Sequence, residues 1–317
     1  MKIKDRNSFL CFDDPILPNN LIKKAKLNKR INLLVVRASS YIAVKSSYDA
    51  FSSGLAYPIL IGEPDKILKE SKKLSWKLKE DQIISSNGEI DAATKAVDYI
   101  NENKNIENKK LHAVMKGQLH TDIFMSSLLK KSSGIRKEKR LVHIFAIFPQ
   151  NQNQEPLLIS DAAVNVFPDE KTQKQSIEEM ILLSKKIGHF KTKMAIISAT
   201  ETPISSIPSS MKAKELEIWT QENFGIEVSG PLSFDLAISE KAKEIKGILK
   251  NNVAGNANCL LVPDIVSGNI LYKCLVYLSG GCAAGVVLGG DIPILLTSRA
   301  DPPQARLASI ALASIAC

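Results

Sequence analysis

The chain has 317 residues, a length that favours two lobes over a single continuous core. Hydrophobic residues make up 44% and charged residues 24%, a globular balance that argues against a disordered or fibrous chain. The net charge of +9 comes mainly from dispersed lysines with no dense basic run, which disfavours nucleic-acid binding but suits the capture of anionic metabolites.

The five cysteines form no C-x-x-C pair and no regular framework, so a disulfide scaffold or a structural zinc site is not expected. The first 15 residues lack the apolar core of a secretory signal. The apolar run at residues 282–288 reaches Asp291 too soon to span a bilayer. We therefore expect a cytoplasmic protein without a membrane partner.

Short apolar runs rich in β-branched residues predict strands along most of the chain. They lie at residues 31–36, 57–61, 111–115, 142–148, 157–159, 194–198, 260–262, 285–288 and 293–296. Helical patterns separate several of these runs. The alternation predicts an α/β fold with mostly parallel sheets flanked by helices.

The clearest helix follows Pro168, where apolar side chains recur three or four residues apart and Gly188 offers a C-cap. Further helices are predicted at residues 209–223, 239–248 and 303–316. The polar stretch at residues 150–156 reads as a surface connection between two strands. We therefore expect a first α/β lobe of residues 1–150 plus 291–317 and a second of residues 151–290. The active site is expected in the cleft between them.

The glycine-rich stretch at residues 280–285 has the spacing of a P-loop, but Val286 and Val287 stand where a Lys-Ser/Thr pair should bind phosphate. Close helix-to-strand packing and a backbone-lined substrate pocket both remain open as explanations for its glycines. Neither H-E-x-x-H nor G-x-S-x-G occurs, and the four histidines lack metal-ligand spacing. No metal site is expected.

Residues 297–301, with the sequence T-S-R-A-D, pass directly from a predicted buried strand into polar residues and then into a helix. In open α/β sheets, side chains just past the carboxyl end of a strand lie at the ligand crevice. Arg299 offers a planar fork for two phosphate oxygens, and Ser298 adds a hydroxyl donor. Equally compatible with the sequence is a helix N-cap by Asp301 beside an ordinary surface arginine.

This segment, followed by A-R-L-A-S-I-A-L-A, resembles the C-terminal signature of the phosphate acetyl/butyryltransferases, and its S-R-A-D form is closer to the butyryl branch. Four further blocks match that family in the same order along the chain. They are Met115-Lys116-Gly117 with Thr121, D-A-A-V-N from Asp161 to Asn165 with Pro168, Gly230-Pro231-Leu232 with Asp235, and Val262-Pro263-Asp264 with Gly268-Asn269 and Tyr272-Lys273. The resemblance covers the chain from about residue 111 to its end.

The resemblance implies a two-lobed fold like that of the isocitrate and isopropylmalate dehydrogenases. It implies an acyltransferase that interconverts acyl-CoA plus orthophosphate with acyl phosphate plus CoA, where the acyl group is acetyl, propionyl or butyryl. Coenzyme A and orthophosphate are then substrates, and no tightly bound cofactor is expected. A homodimer or a higher homo-oligomer is implied as well.

Three residues are assigned catalytic roles. Arg299 would hold the transferring phosphate and stabilise the carbonyl oxyanion, Ser298 would assist by hydrogen bonding, and Asp301 is a hypothetical base. Residues expected to bind substrate are Lys116, Thr121, Asp161, Asn165, Asn269 and Lys273. For several of these a structural role is an equal alternative, such as turn capping by Asp161 or a solvated position for Lys273.

The sequence departs from the family pattern at two places. The acetyl branch carries its proposed base six residues after the arginine, where this chain has Ala305, and Asn258 replaces a usual carboxylate. A non-catalytic relative that binds CoA or phosphate is therefore one alternative. A metal- and NAD-dependent decarboxylating dehydrogenase of related fold is another.

Overall fold

The computed structural model describes residues 9–11, 13–107, 110–130, 133, 135, 139–189, 191–298 and 300–317. The chain divides into two compact units. Unit I comprises Leu17–Arg140 and Ala284–Cys317, and unit II comprises Met1–Ile16 and Leu141–Ala283. The expected lobe boundaries at residues 150 and 291 stay a prediction.

In chain order the elements are α1 (Asn19–Ala25), β1 (Ile31–Val36), α2 (Tyr41–Ser52), β2 (Ala56–Gly62), α3 (Pro64–Lys73), β3 (Ile83–Ser85), α4 (Gly88–Asn103), β4 (Ala113–Lys116), α5 (Thr121–Leu128), β5 (Val142–Phe148), β6 (Leu157–Ser160), α6 (Glu170–Ile187), β7 (Lys193–Ile197), α7 (Pro208–Asn223), β8 (Glu227–Leu232), α8 (Phe234–Ile238), α9 (Glu240–Ile245), β9 (Cys259–Leu261), α10 (Ile265–Tyr277), β10 (Cys282–Leu288), β11 (Ile294–Leu295) and α11 (Pro303–Ala316). This alternation confirms the predicted α/β fold with mostly parallel pairing.

In unit I the strand order is β3-β2-β1-β4-β11-β10. The pairs are parallel apart from β10 with β11. The sequence of β1, I-N-L-L-V-V, is almost entirely buried because helices cover both faces of a parallel sheet. Parallel pairing also brings the carboxyl ends of β1, β4 and β11 to one edge of the sheet.

In unit II the order is β5-β6-β9-β7-β8, with β5 antiparallel to β6 and the remaining pairs parallel. The helix predicted after Pro168 is α6, which begins after its N-cap Asp169 and ends at Gly188 in a left-handed conformation (φ 96°). A glycine tolerates that conformation at little cost, as the sequence indicated. The prediction of this helix and its C-cap is confirmed.

Unit II contains a strand that the sequence did not predict. The strand β8 was not predicted because it contains Gly230-Pro231, a pair typical of turns. Gly230 is required there, since a Cβ would lie 2.8 Å from the Cβ of Ile196. The helix α10 begins at Ile265 and is capped by Asp264. Across the described residues, every helix is too short or too polar to cross a bilayer.

Candidate active site

The loops that follow β1, β4 and β11 lie at one edge of the unit I sheet. Thr297, the second residue after β11, is buried and donates its hydroxyl hydrogen to the carbonyl oxygen of Lys116 at the end of β4, over 2.9 Å. Gly117 then passes the end of β1 so closely that a Cβ would lie 2.5 Å from the carbonyl oxygen of Arg37. Only glycine fits at this crossing.

Arg306, in the first half of α11, holds the C-terminal loop, defined as residues 297–301. Its side chain is 5% exposed, and its Nε donates to the carbonyl oxygen of Asp301 over 3.0 Å. One Nη donates to the carbonyl oxygen of Ser298. The sequence-based analysis did not single out Arg306, although a lone arginine among the small apolar residues of α11 was a visible signal.

Asp301 stabilises the same loop through a hydrogen bond within it. Its Oδ2 accepts a hydrogen bond from the backbone N–H of Ser298 over 2.6 Å. The expected alternative of a helix N-cap does not describe this contact, since the N-cap residue of α11 is Pro302. Burial raises the pKa of Asp301, although the Ser298 N–H and the charges of Arg306 and Lys116 act in the opposite direction. Ser298 itself is exposed.

Arg299, the residue given the central role by sequence, lies outside the described residues. Its neighbours are described: Ala300 donates its backbone N–H to the Ser298 hydroxyl over 3.3 Å. The predicted phosphate-handling role of Arg299 stays a prediction.

A cleft of about 190 Å³ opens beside the C-terminal loop, within unit I. Its lining residues are Ser40, Ile42, Ala43, Gly117, Gln118, Thr297 and Arg306. Three of them form the N-terminus of α2, where the Ser40 hydroxyl accepts from the backbone N–H of Ala43. The positive end of a helix and a buried guanidinium on one cleft favour an anionic ligand.

Lys116 is the last residue of β4 and Thr121 follows that strand, close to the positions expected from the sequence. The Lys116 ammonium is buried and donates to the carbonyl oxygen of Leu119 over 3.1 Å. This contact matches the structural-turn alternative that the sequence left open. Thr121 begins α5 and is exposed.

Arg37, missed by the sequence-based analysis, fixes the loop after β4. Its side chain donates to Glu89 over 2.8 Å and to the carbonyl oxygen of Gln118 over 2.9 Å. It also pairs with Glu63 at 3.5 Å. Burial would raise the pKa of Glu63, but hydrogen bonds from Ser39, its own backbone and Lys66, with the charge of Arg37, lower it to about 2. Both acids therefore stay ionised and neutralise part of the positive charge here.

In unit II the predicted residue Asp161 follows β6 and is 2% exposed. Its Oδ1 accepts from the backbone N–H groups of Ala163 and Val164, each over 2.9 Å. Its Oδ2 accepts from the backbone N–H of His143 over 2.9 Å and from Asn165 Nδ2 over 2.7 Å. Both carboxylate oxygens therefore hold the turn. This is the turn-capping role that the sequence left open as an alternative to substrate binding.

Asn165, Asn269 and Asp161 are brought together around this turn, and Lys273 is not. Asn165 also donates to the carbonyl oxygen of Leu141, and Asn269 donates to that of Ala162 over 3.2 Å. Lys273 lies one helical turn beyond Asn269 on α10 and is exposed.

The two departures from the family pattern fall at structural positions. Ala305 is buried in α11. Asn258 precedes β9, at the amino end of the strand and therefore away from the carboxyl edge where ligands bind. Its side chain donates to the carbonyl oxygen of Lys191 and accepts from the N–H of Lys193. An amide supplies both a donor and an acceptor here, whereas an ionised carboxylate could only accept.

His143 lies directly behind the Asp161 turn and is 1% exposed. Among the described residues, neither of its ring nitrogens has a hydrogen-bond partner. Its ring packs edge-on against Phe145, which stacks on Tyr272 with ring centroids 4.2 Å apart. Burial lowers the pKa of His143 to about 4, although the charge of Asp161 acts to raise it. The ring is therefore neutral in the folded protein at neutral pH.

In comparisons with known proteins, residues 104–314 match the profile of the family described as phosphate acetyl/butaryl transferase. The phosphate acetyltransferase of Rickettsia prowazekii is 38% identical over 302 residues, covering 93% of this chain and 83% of the relative. The phosphate acetyltransferase of Rhizobium meliloti is 35% identical, with 94% and 92% covered. The phosphate butyryltransferase of Clostridium acetobutylicum is 31% identical, with 94% and 97% covered.

Among solved structures, a branched-chain phosphotransacylase from Enterococcus faecalis matches with a TM-score of 0.73 at 24% identity, covering 90% of this chain and 99% of that one. A phosphotransacetylase from Streptococcus pyogenes gives 0.73 at 21% identity, with 94% and 97% covered. A 4-hydroxythreonine-4-phosphate dehydrogenase from Klebsiella pneumoniae gives 0.51 at 12% identity, with 91% and 100% covered. At these identities the likeness is one of fold.

The neutral, buried His143 predicts a pH dependence of stability. Its pKa is about 4 when folded and about 6.5 when unfolded, so its contribution is complete above pH 6.5. As the pH falls from 6.5 to 4, only the unfolded chain takes up the proton, and about 3 kcal/mol is lost. Urea unfolding of His143→Leu should show a smaller loss over this range. The exposed His120→Asn is the control, and equal slopes for His143→Leu and wild type would contradict the account.

Proposed function

The chain belongs to the phosphate acetyl/butaryl transferase family, and we propose that it transfers an acyl group between coenzyme A and orthophosphate. One observation supports placing this reaction in unit I. Arg306 holds the C-terminal loop beside the cleft at the N-terminus of α2. Coenzyme A and orthophosphate enter as substrates. The proposal includes no tightly bound cofactor.

In the direction of acyl phosphate synthesis, an oxygen of orthophosphate attacks the thioester carbonyl carbon. The carbon–sulfur bond then breaks, and the sulfur leaves as a thiolate that takes up a proton. The phosphate is held by the α2 N-terminus and by the charge of Arg306. The Ser298 hydroxyl and the guanidinium of Arg299 stabilise the oxyanion of the tetrahedral intermediate.

Asp301 is the proposed proton carrier between the thiol and solvent. Its Oδ2 is used by the Ser298 N–H, and no described residue donates to its Oδ1. Because burial raises its pKa, the carboxyl group is a stronger base than an exposed aspartate. A thiol has an ordinary pKa of about 8.5, so a nearby base assists formation of the attacking thiolate in the reverse reaction.

The remaining predicted residues are proposed to serve substrate binding in two ways. Exposed Thr121 and Lys273 are each proposed to bind substrate directly. Lys116 acts by fixing the loop that carries Gly117. Asp161, Asn165 and Asn269 hold the turn after β6 in shape. Because relatives carry both acetyl- and butyryltransferase names, the donor is an acetyl, propionyl or butyryl thioester.

Turnover with short acyl-CoA donors tests this function. Purified protein supplied with acetyl-, propionyl- or butyryl-CoA should release thiol only when orthophosphate is present. Asp301→Asn should lower kcat by about 100-fold or more, the range for loss of a general base. Absence of phosphate-dependent thiol release with every donor would contradict the proposal, and an Asp301→Asn variant with full kcat would remove the base role alone. The unfolding midpoints of wild type and Asp301→Asn are measured first, so that a lower kcat in the variant is not the result of unfolding.

We propose in addition that the protein is a cytoplasmic homo-oligomer that associates through α10. Gly268 is the one fully buried residue of this apolar helix. Val266 and Ile270 are 59% and 58% exposed, one turn apart, and Tyr277 continues the apolar surface. An exposed apolar stripe of this kind is typical of an association surface. Sedimentation equilibrium should show a dimer that Ile270→Glu converts to monomer, and a monomeric wild type at micromolar concentration would contradict this.

A further inference from the structure

The cleft beside the C-terminal loop has one apolar part among polar walls. Five of the described residues that line it present polar side chains or bare backbone: Ser40, Gly117, Gln118, Thr297 and Arg306. The other two, Ile42 and Ala43, belong to the first turn of α2. Ala43 is buried, so its methyl group is already covered by the protein. Among these described residues, Ile42 is therefore the one large aliphatic side chain that the cleft offers to a ligand.

The side chain of Ile42 is not needed for the packing of α2. It is 44% exposed. The buried face of this helix is formed by other residues, namely Ala43, Val44, Ser46, Ser47 and Ala50. A single exposed isoleucine on a convex surface needs no explanation. Ile42 differs because it lies on the wall of a cleft, where a ligand with an apolar part covers it from water.

The end of α2 that attracts an anion is the same helical turn. The first N–H groups of a helix have no intrahelical acceptor, and the Ser40 hydroxyl accepts from that of Ala43. Among the described residues, none accepts from the N–H groups of Tyr41 and Ile42. These two groups are available to a phosphate. A carbon chain bonded to that phosphate therefore starts within reach of the Ile42 side chain.

We propose that Ile42 sets the acyl-chain preference of the enzyme by covering the carbon chain of the acyl phosphate. The inference rests on the proposed function, because it takes the phosphate to lie at the α2 N-terminus. The acyl carbon is bonded to a phosphate oxygen, so the chain leaves the polar end of the cleft and is shielded from water against Ile42. Each methylene that is shielded in this way strengthens binding. Butyryl, with two methylenes more than acetyl, is therefore the preferred acyl group.

Alkylphosphonates test this contact without turnover, because they join a phosphate-like anion to a carbon chain. Calorimetric titration of wild type with methyl-, ethyl- and propylphosphonate should show affinity rising roughly two- to fourfold with each methylene, the gain for partial to full burial. Ile42→Ala should bind methylphosphonate nearly as wild type does and lose most of the gain per methylene. Ile42→Leu, which conserves the aliphatic volume, should retain that gain.

Ile90 supplies the matched control. It lies in the first turn of α4, in the same unit, and is exposed outside the cleft. Ile90→Ala removes the same carbon atoms as Ile42→Ala, so it should keep the wild-type dependence on chain length. Both alanine variants should fold, because alanine is the strongest helix former and neither isoleucine is buried in the core.

Turnover gives the corresponding selectivity. In Ile42→Ala, the ratio of kcat/KM for butyryl-CoA to kcat/KM for acetyl-CoA should fall about fourfold or more, because two methylenes lose their cover. The loss should come from the butyryl donor, since acetyl has no methylene to cover. In Ile90→Ala the ratio should equal that of wild type.

Three results would overturn the proposal. The first is a wild-type protein that binds methylphosphonate and gains no affinity with a longer chain. The second is a folded Ile42→Ala variant whose gain per methylene equals or exceeds that of wild type. The third, a wild-type protein that binds neither orthophosphate nor any of the phosphonates, would remove the phosphate site as well. Because the titrations require no turnover, failure of acyl transfer is detected separately, by the thiol-release assay.

Discussion

A buried guanidinium that donates to two loop carbonyls is the contact on which the site in unit I depends. Removing an arginine from water is costly unless its hydrogens are accepted by other groups. Here the carbonyl oxygens of Ser298 and Asp301 accept them. Burial of the guanidinium lowers the pKa of Arg306, and the negative charge of Asp301 acts to raise it. The loop conformation and the burial of the cation therefore require each other.

The rest of the site follows from the parallel sheet. Because β1, β4 and β11 run in the same direction, their following loops meet at one edge, and short contacts fix them there. The Thr297 hydroxyl ties the C-terminal loop to the end of β4, and Gly117 lets that end pass β1. The cleft then combines a helix N-terminus with a fixed positive charge, which is the chemistry an inorganic phosphate requires.

The sequence was sufficient for the fold class, the family and the position of Ser298 and Asp301, since these depend on local patterns: β-branched runs, a helical period, and polar residues after a strand. It could not decide the role of Asp161, because the decisive donor is the backbone of His143, 18 residues away. Arg306 was missed for the same reason. Whether a polar side chain on a helix is satisfied or left unpaired depends on partners that only the folded chain brings near.

The central claim is that the fork of Arg306 holds the C-terminal loop in the geometry that binds orthophosphate for acyl transfer. Arg306→Lys tests it, because an ammonium lacks the planar fork that serves both carbonyls. Arg30→Lys is the matched control, since Arg30 in the same unit also donates to two carbonyl oxygens, of Ala56 and Phe51. The account predicts that kcat/KM for orthophosphate falls about 100-fold in Arg306→Lys and stays at the wild-type value in Arg30→Lys. A folded Arg306→Lys variant with wild-type kcat/KM would contradict it.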